Sequence, residues 1–278
     1  MGSDGLGLPC EPSASRKDAH DHNPSLGMLP RPVETQGEAG VDRVVCERFF
    51  GTADRGVFVD VGAAGPDFLS MSALYRQLGW RVIAIEPNPM FCDAHRAAGH
   101  EVLQYAAADR DADQVDFDVV DSHRGRYRGG TVSYESFSSL AIKPEYRALG
   151  RDLDVTRIKV DMRRLDTILA EHAPDVQRLD IVSVDVEGWE LEVLDGLTVA
   201  RYRPRVLIVE NLFRDPRYVR AMRDRGYVLW QRAAPNDVYV RPSDLSSSER
   251  LMARLTGTWR ASSARHRIRL RRPRTTPG

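Results

Sequence analysis

Short apolar runs separated by helical repeats set the frame of this chain. Residues 57–61 (Val-Phe-Val-Asp-Val) are too short for a buried helix and apolar enough for a buried strand. Beyond the Gly62–Gly65 turn, Phe68, Met71, Leu74, Tyr75 and Leu78 recur at helical spacing, and Gly79 closes that helix. Residues 81–86 predict a second strand, 89–98 a helix stopped by Gly99, and 101–107 a third strand. Residues 179–184 and 205–209 predict the fourth and fifth strands. The helix between them, 189–197, turns Leu191, Leu194 and Leu197 inward. Asp215-Pro216 opens a helix that runs to about Arg225 and stops at Gly226. Residues 227–231 and 238–240 predict a terminal hairpin. This alternation is that of an α/β fold with a mostly parallel sheet.

Two regions break the alternation. In 110–178, Val115, Phe117 and Val119 alternate with polar residues, as do Ile158, Val160 and Met162, which predicts an added strand pair. A Ser/Gly/Arg-rich loop, 123–139, lies between them, long enough for a lid or substrate loop. Asp166 is placed to cap a short helix over 167–172. At the N-terminus, residues 1–40 are rich in Gly and Pro without periodicity, and read as a disordered leader. Val41, Val44, Val45 and Phe49 then share one face of a helix over 41–50. The expected organisation is a leader at 1–40, one domain at 41–242 and a basic tail at 243–278.

Composition narrows the class. The chain has 278 residues and is 42% apolar, enough for a sizeable core. It has no apolar run near the ~18 residues of a membrane span. No basic region followed by an apolar one marks a signal peptide, and Leu6 breaks the myristoylation pattern that Met1-Gly2 begins. Cys10, Cys46 and Cys92 are far apart and odd in number, matching neither a disulfide framework nor a zinc site, which points to the cytoplasm. A formal net charge of zero hides an uneven distribution. Residues 241–278 carry ten Arg against Asp244 and Glu249. Ser246-x-x-Glu249 is a capping box for a short helix before the basic arm Arg265–Arg274. That arm is either a solvated tail or a contact for acidic glycan, nucleic acid or anionic lipid.

The chemistry sits at the strand ends. A glycine turn after a first strand and an acid, Glu86, ending the second form a nucleoside-binding pattern. Gly62-Ala63-Ala64-Gly65 lacks the G-x-G-x-x-G that cradles a pyrophosphate, which argues against a dinucleotide. An acid inside the turn, Asp60, and a sparse G-x-x-G suit a phosphate-free ligand whose other end is cationic, S-adenosyl-L-methionine.

With these motifs on the page, the chain resembles the FkbM family of S-adenosylmethionine-dependent O-methyltransferases. The resemblance rests on Phe58-Val-Asp-Val-Gly-Ala63, Val82-Ile-Ala-Ile-Glu-Pro-Asn-Pro89, Ala106-Ala-Ala-Asp109, Ser138-Ser-Leu140, the stretch 160–169, Asp185-Val-Glu-Gly188 within 180–196, and 204–210, in the family's order over roughly 55–212. Two positions depart from it. Ala64-Gly65-Pro66 replaces a Gly-Ala-Asn-x-Gly turn, and Ser183 stands where the family has Lys. The resemblance implies a class I, Rossmann-like methyltransferase with a mostly parallel seven-stranded sheet, helices on both faces and a C-terminal β-hairpin. It also implies methyl transfer to a hydroxyl of a sugar, polysaccharide or secondary metabolite.

The resemblance assigns roles residue by residue. Asp60, Gly62, Ala63 and Gly65 would hold the methionine end, Glu86 both ribose hydroxyls, and Asp109 the adenine amino group with the Ala108 amide beside it. Asp185 and Glu187 would stand by the transferable methyl, as general base or substrate contacts, and Gly188 would let the chain pass close to the ligand. The alternative for both acids is capping of the following helix. Asp185 with Glu210 and Asn211 also makes an all-oxygen trio similar to the Mg²⁺ site of catechol-type methyltransferases. Ser138 and Ser139 are loop contacts to substrate, and His123 and His172 are lesser base candidates. A nucleic-acid methyltransferase using the basic tail is a rival, although Asp-Val-Glu-Gly is not the Asn/Asp-Pro-Pro-aromatic turn of base-amino methylation. A non-catalytic cofactor- or partner-binding module is another.

Overall fold

A computed structural model describes residues 36–51, 55–67, 69–121, 125–127, 130–132, 138–148, 154–256 and 260–261. Of the leader expected over 1–40, residues 1–35 lie outside the described residues, as do His123 and the Arg265–Arg274 arm, while Glu38–Gly40 form a 3-10 turn ahead of residue 41.

In chain order the strands are β1 (Val57–Val61), β2 (Arg81–Ile85), β3 (Ala106–Ala108), β4 (Ala112–Asp121), β5 (Gly125–Tyr127) and β6 (Gly130–Val132). They continue as β7 (Asp154–Arg164), β8 (Ile181–Val184), β9 (Val206–Glu210), β10 (Val228–Ala233), β11 (Asn236–Val240) and β12 (Arg260–Ala261). The helices are α1 (Val41–Val45), α2 (Ala73–Gln77), α3 (Pro89–Ala97), α4 (Pro144–Arg147), α5 (Leu165–His172), α6 (Glu190–Asp195), α7 (Val199–Tyr202), α8 (Pro216–Asp224) and α9 (Ser247–Thr256).

Seven strands make the main sheet, in the order β12-β10-β11-β9-β8-β1-β2. β1, β8 and β9 are apolar nearly throughout because both of their faces are covered. Val59, Val61, Val182, Val184, Leu207 and Val209 face one core, closed by α5, α6 and α8. Phe58, Ile181, Val206 and Ile208 face the other, closed by α1, Phe49 and α2. Helices therefore lie on both faces. No described helix is long and apolar enough to cross a membrane.

The sheet is mixed. β2-β1-β8-β9 is parallel, as expected, but β11 runs antiparallel to both β9 and β10, while β12 is parallel to β10. The seventh strand is also not the expected one. Of the predicted third strand only Leu103 bridges Ile85. The amide of Tyr105 then turns back onto the Leu103 carbonyl at 3.1 Å, ending the ladder. Regular pairing resumes at β3, which joins β7 and β4 in a separate three-stranded sheet. The predicted pair is there: Val115 faces Val160, and Phe117 faces Ile158.

Several local signals hold and one fails. Asp215 and Asn88 cap α8 and α3, and Ser246 and Glu249 exchange amide bonds at 2.8 and 3.3 Å ahead of α9. Asp166 caps nothing. Its carboxylate takes the Thr198 amide at 2.8 Å, and α5 starts two residues before the expected 167, at Leu165.

Candidate active site

The parallel strands end side by side, and the chain leaving them is tightly packed. Gly62, at φ +74°, passes so close to β8 that a Cβ there would lie 1.8 Å from the Asp185 carbonyl oxygen. The glycine is therefore demanded first by the protein's own backbone, not by a ligand. The same holds for Gly188, at φ +100°, whose added Cβ would meet the Tyr146 ring at 2.9 Å. Between these ends and the second sheet lies a cleft of about 640 Å³, counted out to its open mouth. Gly62, Ala64, Glu86, Asp185 and Glu187 line it from the main sheet. Phe117, Ser138, Ser139 and Leu140 line it from the added β4 side, with Phe91, Tyr105 and Trp189 between.

Glu86 follows β2 and is 5% exposed. One oxygen accepts from the Ala64 amide at 2.9 Å and the other from the Asn88 amide at 2.8 Å. This carboxylate thus ties the first turn to the start of α3 and keeps roughly two acceptor sites for a ligand. Burial lifts its pKa to about 7, against the pull of the two amides. His95 holds the same turn, with Nε2 3.0 Å from the Ala64 carbonyl. A carbonyl only accepts, so Nε2 carries the proton, and burial pushes the ring's pKa down to about 4. Ala64 needs this support because it sits at φ +45°, a conformation its Cβ disfavours.

The turn after β8 gathers acids. One oxygen each of Asp185, Glu187 and Glu210 lie within 4.8 Å of one another. Burial, first of all, raises the pKa of all three well above the ordinary carboxylate range, and each is raised further by acidic neighbours. A hydrogen bond with Glu210 partly offsets this for Asp185, and Tyr146 donates to Glu210 at 3.0 Å. Glu190, in the first turn of α6, is different. It accepts from the Val186 and Gly188 amides at 3.2 and 2.8 Å and from the Tyr218 hydroxyl at 2.5 Å. The N-terminus of α6 has no side-chain cap at Trp189, and Glu190 instead ties down the turn ahead of the helix. An acid one helical step beyond a glycine turn was the signal for it, and sequence reasoning missed it, as it missed Phe91, Tyr105 and Trp189.

Other expected residues lie elsewhere. Asp60 is buried on the α2 side of β1, hydrogen-bonded to Ser72, and does not line the cleft. Ala63 and Gly65 do not line it either. Asp109 is exposed and paired with Arg110 at 3.2 Å. The Ala108 carbonyl is packed against Gly196, so Ala106 and Ala107 are the strand residues that reach the cleft. Asn211 is spent on Asp237, at 2.9 Å, and on the Asp215 amide, at 2.7 Å, which removes it from the expected oxygen trio. His172 lies 3.2 Å from the Tyr105 hydroxyl, outside the cleft.

A cleft at the carboxyl ends of parallel strands, with a glycine turn on one side and buried acids on the other, defines a ligand-binding α/β domain. The model of the methyltransferase FkbM domain matches residues 60–229, and the chain belongs to that family. It is 43% identical over 47 residues to methyltransferase sdnD of Sordaria araneosa, a stretch covering 15% of this chain and 18% of that one. A crystal structure of methyltransferase FkbM from Methylobacillus flagellatus KT is similar at 15% identity and a TM-score of 0.40. That match covers 67% of this chain and 44% of the other. The chain thus spans well under two thirds of the length of either relative.

Proposed function

We propose that the chain transfers a methyl group from S-adenosyl-L-methionine to a hydroxyl of a sugar, polysaccharide or secondary metabolite. The observation that carries this reading is one cleft with two chemically distinct sides. Glu86 follows β2 and the Asp185–Glu187 turn follows β8, on either side of β1 in the sheet. Glu86 fits a ribose because a carboxylate already held by two amides is rigid and accepts charge-assisted bonds from paired hydroxyls.

The bound donor supplies an activated methyl on sulfur. With the donor bound, the acceptor oxygen would take that carbon as the carbon–sulfur pair returns to sulfur, and a group of the protein would have to accept the hydroxyl proton. Asp185 is placed to receive that proton, because it lines the cleft where β8 ends. The walls of the cleft contribute alignment, worth several kcal/mol when oxygen, carbon and sulfur are held in line. Phe117 and Leu140, from the added sheet and its loop, give an apolar wall, and Ser138 and Ser139 offer polar contacts to the acceptor.

Calorimetry with S-adenosylmethionine and its demethylated product tests the donor half, and a labelled-methyl assay across glycans and macrolides tests the acceptor half. Binding of the product together with label on an acceptor hydroxyl is the expected result. Absence of heat with either nucleoside, on folded protein, removes the reading.

A further inference from the structure

We propose that Asp185, Glu187 and Glu210 bind a hard divalent cation, Mg²⁺ or Mn²⁺, with the carboxamide oxygen of Asn236 as a fourth donor. The role of the ion beside the acceptor hydroxyl rests on the proposed methyl transfer; the binding site does not. Three carboxylates brought within 4.8 Å are by themselves only an acidic cluster. Two further observations point to a ligand.

The first is Glu187. It is 7% exposed, and its Oε2 has no hydrogen-bond partner among the described residues. An unpaired carboxylate is costly to bury. Its neighbour Glu190 meets three donors, the Val186 and Gly188 amides of the same turn and the Tyr218 hydroxyl of α8. The fold therefore satisfies one acid completely and leaves the other aimed into the cleft.

The second is Asn236. It is 1% exposed, and neither its Oδ1 nor its Nδ2 has a partner among the described residues. Asn236 stands opposite Glu210 in the antiparallel β9–β11 ladder, so the two side chains leave the same face of the sheet as neighbours. An amide with both polar ends idle, beside a carboxylate that already belongs to the cluster, completes an oxygen-only donor set. Such a set, with no His or Cys in it, selects hard cations over zinc or copper. Oxygens bound to Mg²⁺ at about 2.1 Å lie roughly 3–4 Å apart, which three atoms within 4.8 Å can meet with small side-chain adjustments.

The test is titration of the full chain with Mn²⁺, followed by electron paramagnetic resonance, with Mg²⁺ as competitor. One Mn²⁺ per chain, displaced by Mg²⁺, is expected. Glu187→Gln and Asp185→Asn, which keep shape and remove charge, should each weaken binding by at least about tenfold, the smallest loss seen even for outer partners of a metal. The exposed Asp224→Asn should leave it unchanged. No stoichiometric Mn²⁺, or equal affinity in wild type and both folded variants, overturns the site. Calorimetry with S-adenosylhomocysteine separates the two readings. Nucleoside binding without Mn²⁺ removes the metal alone, and Mn²⁺ binding without nucleoside removes the methyl donor and leaves the cation site standing.

Discussion

The hydroxyl of Tyr218 lies 2.5 Å from a carboxylate oxygen of Glu190, joining α8 to the first turn of α6 beneath the cleft. The contact fixes the turn from Val186 to Gly188, because Glu190's other oxygen holds both of those amides. Tyr218→Phe removes one donor and leaves a buried oxygen unsatisfied. The expected cost is about 1–3 kcal/mol in urea unfolding. Affinity for S-adenosylhomocysteine should stay within a factor of two or so, since under the proposed function Glu86 and not this turn would hold the nucleoside. A variant as stable as wild type would show that the bond does little for the fold.

How much of this was legible follows from the range of each signal. β1, β8 and β9 were readable because apolar runs buried on both faces need no partner to be recognised. So were the helix starts at Asp215 and Ser246, whose capping partners lie within a few residues. Residues 101–107 looked like a strand, but only long-range pairing decided that Leu103 would touch β2 and that Ala106 would leave for another sheet. Asp109, which motif order places at a strand end, is exposed and paired with Arg110, a surrounding that spacing does not reveal. Asp166 bonded a residue 32 positions away in place of its own helix. Glu187 and Glu190 are indistinguishable by spacing, and hydrogen bonding tells them apart.

Gly62 and Gly65 make a clean pair for substitution. A Cβ at Gly62 meets the Asp185 carbonyl at 1.8 Å, and its φ of +74° is unfavourable for any side chain. Gly65 has nothing within 4 Å of an added Cβ. Gly62→Ala should cost at least about 2 kcal/mol from backbone strain and displacement of the β8 end. Gly65→Ala should stay within about 0.5 kcal/mol. Thermal melts of the two variants decide it, and a tolerant Gly62 would mean that β1 and β8 can move apart.

The pH dependence of stability should run opposite to that of a protein held by surface salt bridges. The Glu86 pKa is raised by burial from its ordinary 4.5 to about 7. Between those values the folded chain keeps a proton that the unfolded chain releases, so stability falls as pH rises through the window. For this one group the loss is roughly 3 kcal/mol when complete. Asp60, Asp185, Glu187, Glu190 and Glu210 are raised as well, burial being the leading cause, and act with the same sign. The ligand-free chain should melt at a higher temperature at pH 6 than at pH 8, and Glu86→Gln should narrow that gap. A melting temperature that climbs from pH 6 to pH 8 would contradict the buried-acid picture.

The two sides of the cleft should separate in mutational kinetics. Glu86→Ala deletes the carboxylate that would face the ribose and also frees the Ala64 and Asn88 amides, so binding loses both contact and preorganisation. Charge-assisted bonds of this kind are worth about 1.5–3 kcal/mol each, which predicts a loss of at least about tenfold in nucleoside affinity. Asp185→Asn keeps the shape of the β8 turn while removing the group that would take the hydroxyl proton. Its affinity for S-adenosylhomocysteine should be near wild type while kcat drops by about 10²–10⁴. Isothermal calorimetry and single-turnover methyl transfer read these quantities independently. A reversed pattern, with Asp185→Asn losing nucleoside binding and Glu86→Ala retaining it, would place the donor on the opposite side of the cleft.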